Sequence, residues 1–140
     1  MIKVIIDTCV LVSALKSQLG ASFKILSLVR SNKFKIHLST ALVLEYEDVL
    51  KRPELSISLT TPEIDKLLDI LCLLGEKHQI FYQWRPLLSD AKDDFLGELA
   101  INAQAQAIVT HNAMDFQNIK KFGIKVLTPQ ESLRVIREIK

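Results

Sequence analysis

Short apolar runs alternate with helix-like segments along the chain, and this alternation most constrains how it folds. The first run ends at Asp7, is rich in β-branched residues and is predicted to be a strand buried on both faces. Strands that alternate with helices form a parallel sheet, and right-handed crossovers place helices on both of its faces. The predicted strands cover residues 3–7, 34–38, 79–84, 107–110 and 125–127.

Capping residues and helix breakers mark the segments between the strands. Thr61 precedes a proline at the first helical position, and Gly75 follows the last apolar residue of that segment, so a helix is predicted over 62–74. Thr128 and Pro129 repeat this signal and open the last helix. The remaining predicted helices cover residues 21–30, 40–51 and 93–105.

Length and composition limit the class of protein. The chain has 140 residues, of which 49% are hydrophobic, so we expect a single domain over residues 1–140 with a buried core. No apolar run approaches the roughly 18 residues of a membrane span, and Asp7 interrupts the N-terminal run too early for a signal peptide. We therefore expect a cytoplasmic protein without membrane contact. A net charge of +2 excludes a histone-like polycation but permits a local basic patch.

Four acidic residues are predicted to meet at one edge of the sheet. Asp7 ends the first strand, and Asn112 and Asp115 follow the fourth. Glu45 lies within the apolar stripe of its helix, and Asp93 lies one turn before the apolar stripe of its own helix, 93–105, on the same side. Ligands of parallel α/β sheets bind beyond the carboxyl ends of the strands. Carboxylates gathered there would raise one another's pKa unless a cation lies between them, and oxygen ligands favour Mg²⁺ or Mn²⁺.

Each of these positions also has a purely structural interpretation. Asp often caps the helix that follows it, and this is the structural alternative for Asp7. A Glu at the edge of an apolar stripe can extend its carboxylate into solvent or pair with an arginine, and this is the alternative for Glu45. The acids around Asp93 are favoured at a helix N-terminus by its dipole, and Asn112 and Asp115 are common turn residues.

Four segments resemble, in order, the motifs of the PIN domain, the PilT N-terminus-like nuclease family. They are VIIDTCVLVSAL, LSTALVLEYEDVL, SDAKDDFLGELA and VTHNAMDF, and VLTPQESL is similar to the usual last strand and helix. The resemblance covers essentially the whole chain and is strongest to stand-alone VapC-type toxins of toxin–antitoxin pairs. It implies a three-layer α/β/α sandwich around a parallel sheet of order 3-2-1-4-5, and Mg²⁺- or Mn²⁺-dependent cleavage of RNA phosphodiester bonds.

The resemblance also implies roles for individual residues. Asp7 and Asp93 would be the main metal ligands, Glu45 would hold a metal-bound water or a second ion, and Asp115 would complete the pocket. Three further residues are implied to support the acids or a substrate phosphate: Thr110, Asn112 and Asp90. The family usually has Asn two residues after the first acid, where this chain has Cys9, a weaker hydrogen-bond donor.

Partners follow from the same resemblance. Toxin-like relatives bind a small antitoxin and form homodimers, and the Leu- and Ile-rich helix over 62–74 is predicted to help form such a contact. RNA is predicted to contact basic residues around the pocket, namely Lys16, Arg30, Lys51, Arg52, Lys92, Lys120 and Lys121. The three histidines, at positions 37, 78 and 111, show no metal-ligand spacing.

Three other functions are alternatives to a PIN-type nuclease. A haloacid dehalogenase-type phosphatase needs a second Asp two residues after the first, where Cys9 stands. A phosphoreceiver needs a Lys at the end of a late strand, whereas the fourth strand ends in Thr110 and His111. The remaining alternative is a non-catalytic PIN-like module that binds nucleic acid or protein without cutting.

Overall fold

The computed structural model describes residues 1–80, 85, 87–88 and 90–137, and every structural statement below concerns this part of the chain. Strands and α-helices alternate as the sequence predicts. The strands are β1 (Ile2–Ile6), β2 (Phe34–Leu38), β3 (Glu76–Lys77), β4 (Ala107–Val109) and β5 (Lys125–Leu127). The helices are α1 (Thr8–Lys16), α2 (Ala21–Ser27), α3 (Thr40–Leu50), α4 (Thr61–Leu74), α5 (Asp94–Ala103) and α6 (Pro129–Arg137).

The strands form one parallel sheet in the order β3-β2-β1-β4-β5, which confirms the predicted order. From the central strand β1, the sheet extends through β2 and β3 on one side and through β4 and β5 on the other. The strand order therefore switches direction between β1 and β4, where Val4 lies opposite Ala107 and Ile6 opposite Val109. In sheets of this kind the gap beyond that switch is the usual ligand site.

Helices cover the sheet and close the core, as the predicted three-layer arrangement requires. β1 is almost wholly apolar because both faces of its central residues are covered, and Ile5 is fully buried. Ile25 of α2 and Ile136 of α6 line one face together with Val4. Helix α5 packs against β1 and β2, with Leu96 fully buried.

Local sequence signals place the helix ends. Thr60 and Glu63 form a reciprocal capping box at the start of α4, one residue before the predicted cap, and Thr128 and Glu131 form another at α6. Helix α2 is shorter than predicted because the chain tightens into a 3₁₀ helix over Leu28–Ser31. Helix α5 likewise begins at Asp94 after a 3₁₀ turn, Ala91–Asp93.

The third strand differs from the prediction. We predicted it over residues 79–84, but the strand that pairs with β2 is Glu76–Lys77, directly after Gly75. Residues 79 and 80 are not in a strand, and residues 81–84 lie outside the described part of the chain. Both residues of β3 are charged and exposed, so this edge strand carries no apolar pattern by which a sequence could predict it.

The segment after β4 is also more regular than expected. Residues 112–115 were predicted to be a loop, but a 3₁₀ helix runs over Ala113–Phe122 and buries Phe116 and Ile119 against the core. Asn112 lies at its start and Gly123 ends it in a left-handed conformation (φ 80°) that favours glycine. Asp115 is therefore held on a packed element.

No single helix in the described ranges is long and apolar enough to cross a membrane. Residues 8–16 and 21–31 reach that length and composition only as a pair, and the pair is bent by 103°.

Candidate active site

Asp7 lies directly beyond β1 and is held from the neighbouring strand. Its backbone N–H donates to the carbonyl of Val109 (2.9 Å), so the β1–β4 ladder fixes its position. Thr110, which is fully buried after β4, donates its hydroxyl to Asp7 Oδ2 (2.7 Å). Asp7 occupies the N-cap position of α1, but its side chain makes no capping hydrogen bond. The capping interpretation of this carboxylate is therefore wrong.

Cys9 also contacts Asp7, where relatives are expected to have Asn. Its Sγ donates to Asp7 Oδ2 (3.3 Å) and lies 3.7 Å from Thr110 Oγ1. Burial, followed by the charge of Asp7, raises the pKa of the Cys9 thiol to about 11, so the sulfur keeps its proton and remains a donor. Cys9 thus provides the same kind of support as the expected Asn, with a weaker donor.

Glu45 is brought to the same place by α3. It is half-buried, and its Oε2 accepts a hydrogen bond from the hydroxyl of Thr8, the residue that follows Asp7. Burial raises the pKa of Glu45, and the charge of Asp7 raises it further against the opposing effect of Thr8. The adjacent Tyr46 is fully buried and donates to the carbonyl of Ile6, which anchors this turn of α3 to the end of β1.

The raised pKa of Asp93 is the clearest evidence that carboxylates lie close together here. Burial, and then the charge of Asp7, raise its pKa to about 6, with further contributions from Asp90, Asp115 and Glu45. It stands at the N-cap position of α5, yet its side chain makes no capping hydrogen bond. The structure therefore brings the carboxylates from four separate parts of the chain close enough to repel one another.

Asp94, one residue later, has a different task that the sequence did not reveal. It is buried, and its Oδ1 accepts from the backbone N–H groups of Leu88 (2.8 Å) and Leu87 (3.3 Å). Asp90 is exposed and accepts from the N–H of Lys92 (3.0 Å). Asp90 and Asp94 thus shape the turn that leads into α5, and the charge of Asp90 also raises the pKa of Asp93.

Thr110 also organises the loop that carries Asp115. Its Oγ1 accepts from the N–H of Asn112 (3.0 Å), and the N–H of Asp115 donates to the carbonyl of Asn112 (3.0 Å). The side chain of Asn112 is exposed, and it caps nothing. The predicted contribution of Asn112 is therefore made by its backbone, while Asp115 is half-buried near Asp93.

The basic residues proposed to contact RNA fall into two groups. Lys51 is paired with Asp65 (2.6 Å) and Glu47 (3.2 Å), and Arg52 with Asp48 (2.8 Å), so these two support α3 and α4. The other five candidates are exposed: Lys16, Arg30, Lys92, Lys120 and Lys121. The sequence also offers three aromatic residues that could stack on RNA bases. Tyr46 is buried in the core, and Tyr82 and Trp84 lie outside the described residues.

The donor set of this pocket fits a hard divalent cation. Its groups are carboxylate oxygens supported by hydroxyls, and such oxygens prefer Mg²⁺ or Mn²⁺ to softer metals. Burial raises the pKa of Asp93 and Glu45, and the charge of Asp7 raises both further. A cation at this point would remove the repulsion, with Asp7, Glu45, Asp93 and Asp115 as the groups that would hold it.

Thr110→Val should weaken metal binding without changing side-chain shape. The variant removes the hydroxyl that orients Asp7, and loss of such an orienting hydrogen bond typically lowers metal affinity about 10- to 100-fold. Calorimetric titration with Mn²⁺ measures this, with Cys9→Ala as the comparison, since its longer contact and weaker donor predict a smaller loss. Equal Mn²⁺ affinity in Thr110→Val and the wild type would contradict the role of Thr110.

Comparison with known proteins gives one finding on the family. A model of the PIN domain matches residues 3–114, a span that includes Asp7, Glu45 and Asp93. A search of the curated proteins gives no match.

Proposed function

Because the chain belongs to the PIN domain family, whose members are typically metal-dependent nucleases, we propose that it is a Mg²⁺- or Mn²⁺-dependent endoribonuclease. The observation that carries the proposal is the crowding at Asp93, at the switch point of the sheet. Burial raises the pKa of Asp93, and the charges of Asp7, Asp115 and Glu45 raise it further. A purely structural set of acids would be paired with cations or used as helix caps, and Asp7 and Asp93 cap nothing.

The residues of the pocket have separable tasks in this proposal. Thr110 and Cys9 both donate to Oδ2 of Asp7, so they fix the plane of this carboxylate. Thr8 orients Glu45, and the 3₁₀ helix after β4 holds Asp115 against the pocket. A divalent cation bound there supplies an activated water and neutralises charge on a phosphoryl oxygen.

Substrate is held by its phosphates in this proposal. The five exposed basic side chains described above provide positive charge, whereas the pocket itself is acidic. Backbone contacts of this kind bind single-stranded RNA with little dependence on sequence and weaken as salt rises.

The test is cleavage of a single-stranded RNA by the purified chain with Mn²⁺, with Mg²⁺ and with excess EDTA. Internal cuts that require the metal support the proposal. RNA binding without cleavage under any metal would favour the alternative, a non-catalytic PIN-like module, and overturn the enzymatic function. An endonucleolytic product pattern on a circular RNA separates internal cutting from trimming of ends.

We also propose a biological setting, the toxin of a toxin–antitoxin pair acting in the cytoplasm and silenced by a small antitoxin. It rests on the similarity of the motifs to those of VapC-type toxins. Induced expression should then arrest growth of a bacterial host, and Asp7→Asn should relieve the arrest. Growth that is unaffected by the wild-type chain at the same protein level would contradict the toxin role.

Helix α4 stays the predicted place for a homodimer contact. Its inward residues, among them Leu68 and Leu71, are buried, while Leu73 is 83% exposed. Leu73→Glu is expected to convert a dimer into a monomer in analytical ultracentrifugation, since a charge on an apolar contact is costly to bury. Lys66→Glu on the same helix is the exposed control. A wild-type chain that sediments as a monomer at high concentration would contradict the prediction.

A further inference from the structure

A second group of metal-ligating side chains lies at the β2–β3 edge of the sheet and shares no residue with the carboxylate pocket. His37 of β2 is in register with Glu76 of β3, and neighbouring residues in register point to the same face of a parallel sheet. His78 follows Glu76 by two residues and therefore shares that face, and its backbone N–H donates to the carbonyl of Leu38 (2.7 Å). One ligand atom from each of the three residues lies within 4.8 Å of the others.

The spacing of these atoms is close to that of a metal site. His37 Nδ1 lies 2.5 Å from His78 Nε2, a hydrogen bond that a bound ion would replace, and 4.0 Å from Glu76 Oε2. A tetrahedral ion with bonds of about 2.0–2.1 Å would separate its ligand atoms by about 3.3–3.4 Å, a value between these two distances. Glu76 is exposed and His78 half-buried, whereas the ring of His37 is packed in the core.

The environment of His37 calls for an explanation beyond packing. Its side chain is 1% exposed, and among the described residues its Nε2 has no hydrogen-bond partner. A buried polar atom without a partner is costly. The atom that faces His78 and Glu76 is the other ring nitrogen, Nδ1. Ile36 and Leu38, on either side of His37, lie against the position of Gly75.

The charge and protonation of the groups around His37 also favour the binding of a cation. Burial, and then the nearby His78, lower the pKa of His37, which favours the neutral ring that a metal ion requires. Glu76 brings a negative charge, which offsets the repulsion that the Lys3 and Lys35 ammonium groups would exert on a cation.

We propose that His37, Glu76 and His78 bind a Zn²⁺-class transition-metal ion, whose fourth position is open to water. Two imidazoles and one carboxylate are a donor set that prefers such ions, whereas the all-oxygen pocket prefers Mg²⁺ or Mn²⁺. The ion would fasten β3, only two residues long, to β2. The sequence spacing gave no hint of this site, because the two histidines are 41 residues apart and only strand pairing joins them.

The experiment titrates the full, EDTA-treated chain with ZnCl₂ by calorimetry, in buffer containing Mg²⁺ at millimolar concentration to occupy the carboxylate pocket. We expect one Zn²⁺ per chain, a rise of several degrees in melting temperature, and the visible absorption bands of tetrahedral Co²⁺ when CoCl₂ replaces ZnCl₂. His78→Gln should lower Zn²⁺ affinity by at least about 100-fold, and Glu76→Gln by about 10-fold or more.

Two controls make the result decisive. In EDTA, Glu76→Gln should melt as the wild type does, since Glu76 is exposed. His78→Gln alters the hydrogen bond to His37, so its melting is compared with and without Zn²⁺. Asp7→Asn should bind Zn²⁺ as the wild type does. No Zn²⁺ binding by the wild type, or equal affinity in His78→Gln, overturns the proposal; loss of Zn²⁺ in Asp7→Asn alone would assign the ion to the carboxylate pocket. None of these outcomes depends on whether the chain cleaves RNA.

Discussion

Asp7→Asn and Asp93→Asn are each expected to lower metal-dependent RNA cleavage by about 100- to 1000-fold. A bound cation supplies several kcal/mol of charge stabilisation in the transition state, and each 1.36 kcal/mol corresponds to about a tenfold change in rate. Asn keeps the shape of Asp and still accepts the hydrogen bond from Thr110, so the loss would reflect the missing charge and not a collapsed pocket. Single-turnover cleavage of a labelled RNA with saturating Mn²⁺ measures the effect.

Asp48→Asn is the matched control for this prediction. Asp48 lies on α3 three residues after Glu45, but it is 70% exposed and paired with Arg52. Its replacement removes one negative charge from the same helix and should change cleavage less than about threefold, because exposed ion pairs contribute little. Cleavage by Asp7→Asn and Asp93→Asn at the rate of Asp48→Asn would show that the four acids are not the catalytic set.

Much of the fold could be predicted because its signals are local and strong. β1 is a run of buried β-branched residues, and α4 and α6 begin at capping boxes. The third strand could not be predicted, because Glu76 and Lys77 are held only by backbone pairing to β2 at the edge of the sheet. Strand order beyond simple alternation came from the resemblance of the motifs, since periodicity alone does not determine which strands are neighbours.

The candidate site could be predicted as a set of residues but not as a set of contacts. The position of Glu45 in an apolar stripe was informative, because the structure does place it beside Thr8 and Asp7. The sequence does not distinguish Asp93 from Asp94, because these adjacent acids point to different surroundings only once the 3₁₀ turn is formed. The hydrogen bond from Thr110 to Asp7 likewise joins residues 103 positions apart, which only the pairing of β1 with β4 brings together.

Asp93→Asn is expected to stabilise the metal-free chain, although it lowers RNA cleavage. With EDTA present at pH 7.5, it should raise the free energy of unfolding by about 1–2 kcal/mol. The pKa of Asp93 rises from 3.8 to about 6 in the folded chain, and a shift of this size corresponds to about 3 kcal/mol, which partial exposure reduces. Because the folded pKa is raised, the stability linked to this group is complete below about pH 4 and is lost as the pH rises through 6.

Urea unfolding of the metal-free chain across pH 4 to 7.5 tests this directly. The advantage of Asp93→Asn should be largest at pH 7.5 and disappear near pH 4, where Asp93 is protonated in the wild type as well. Asp94→Asn is the matched control, and its effect should have the opposite sign. It weakens the charge-assisted hydrogen bonds from Leu87 and Leu88 and should lower stability by about 1–2 kcal/mol. If both variants destabilise the metal-free chain equally at pH 7.5, the carboxylates are not in mutual repulsion, and the physical reason for placing a cation among them disappears.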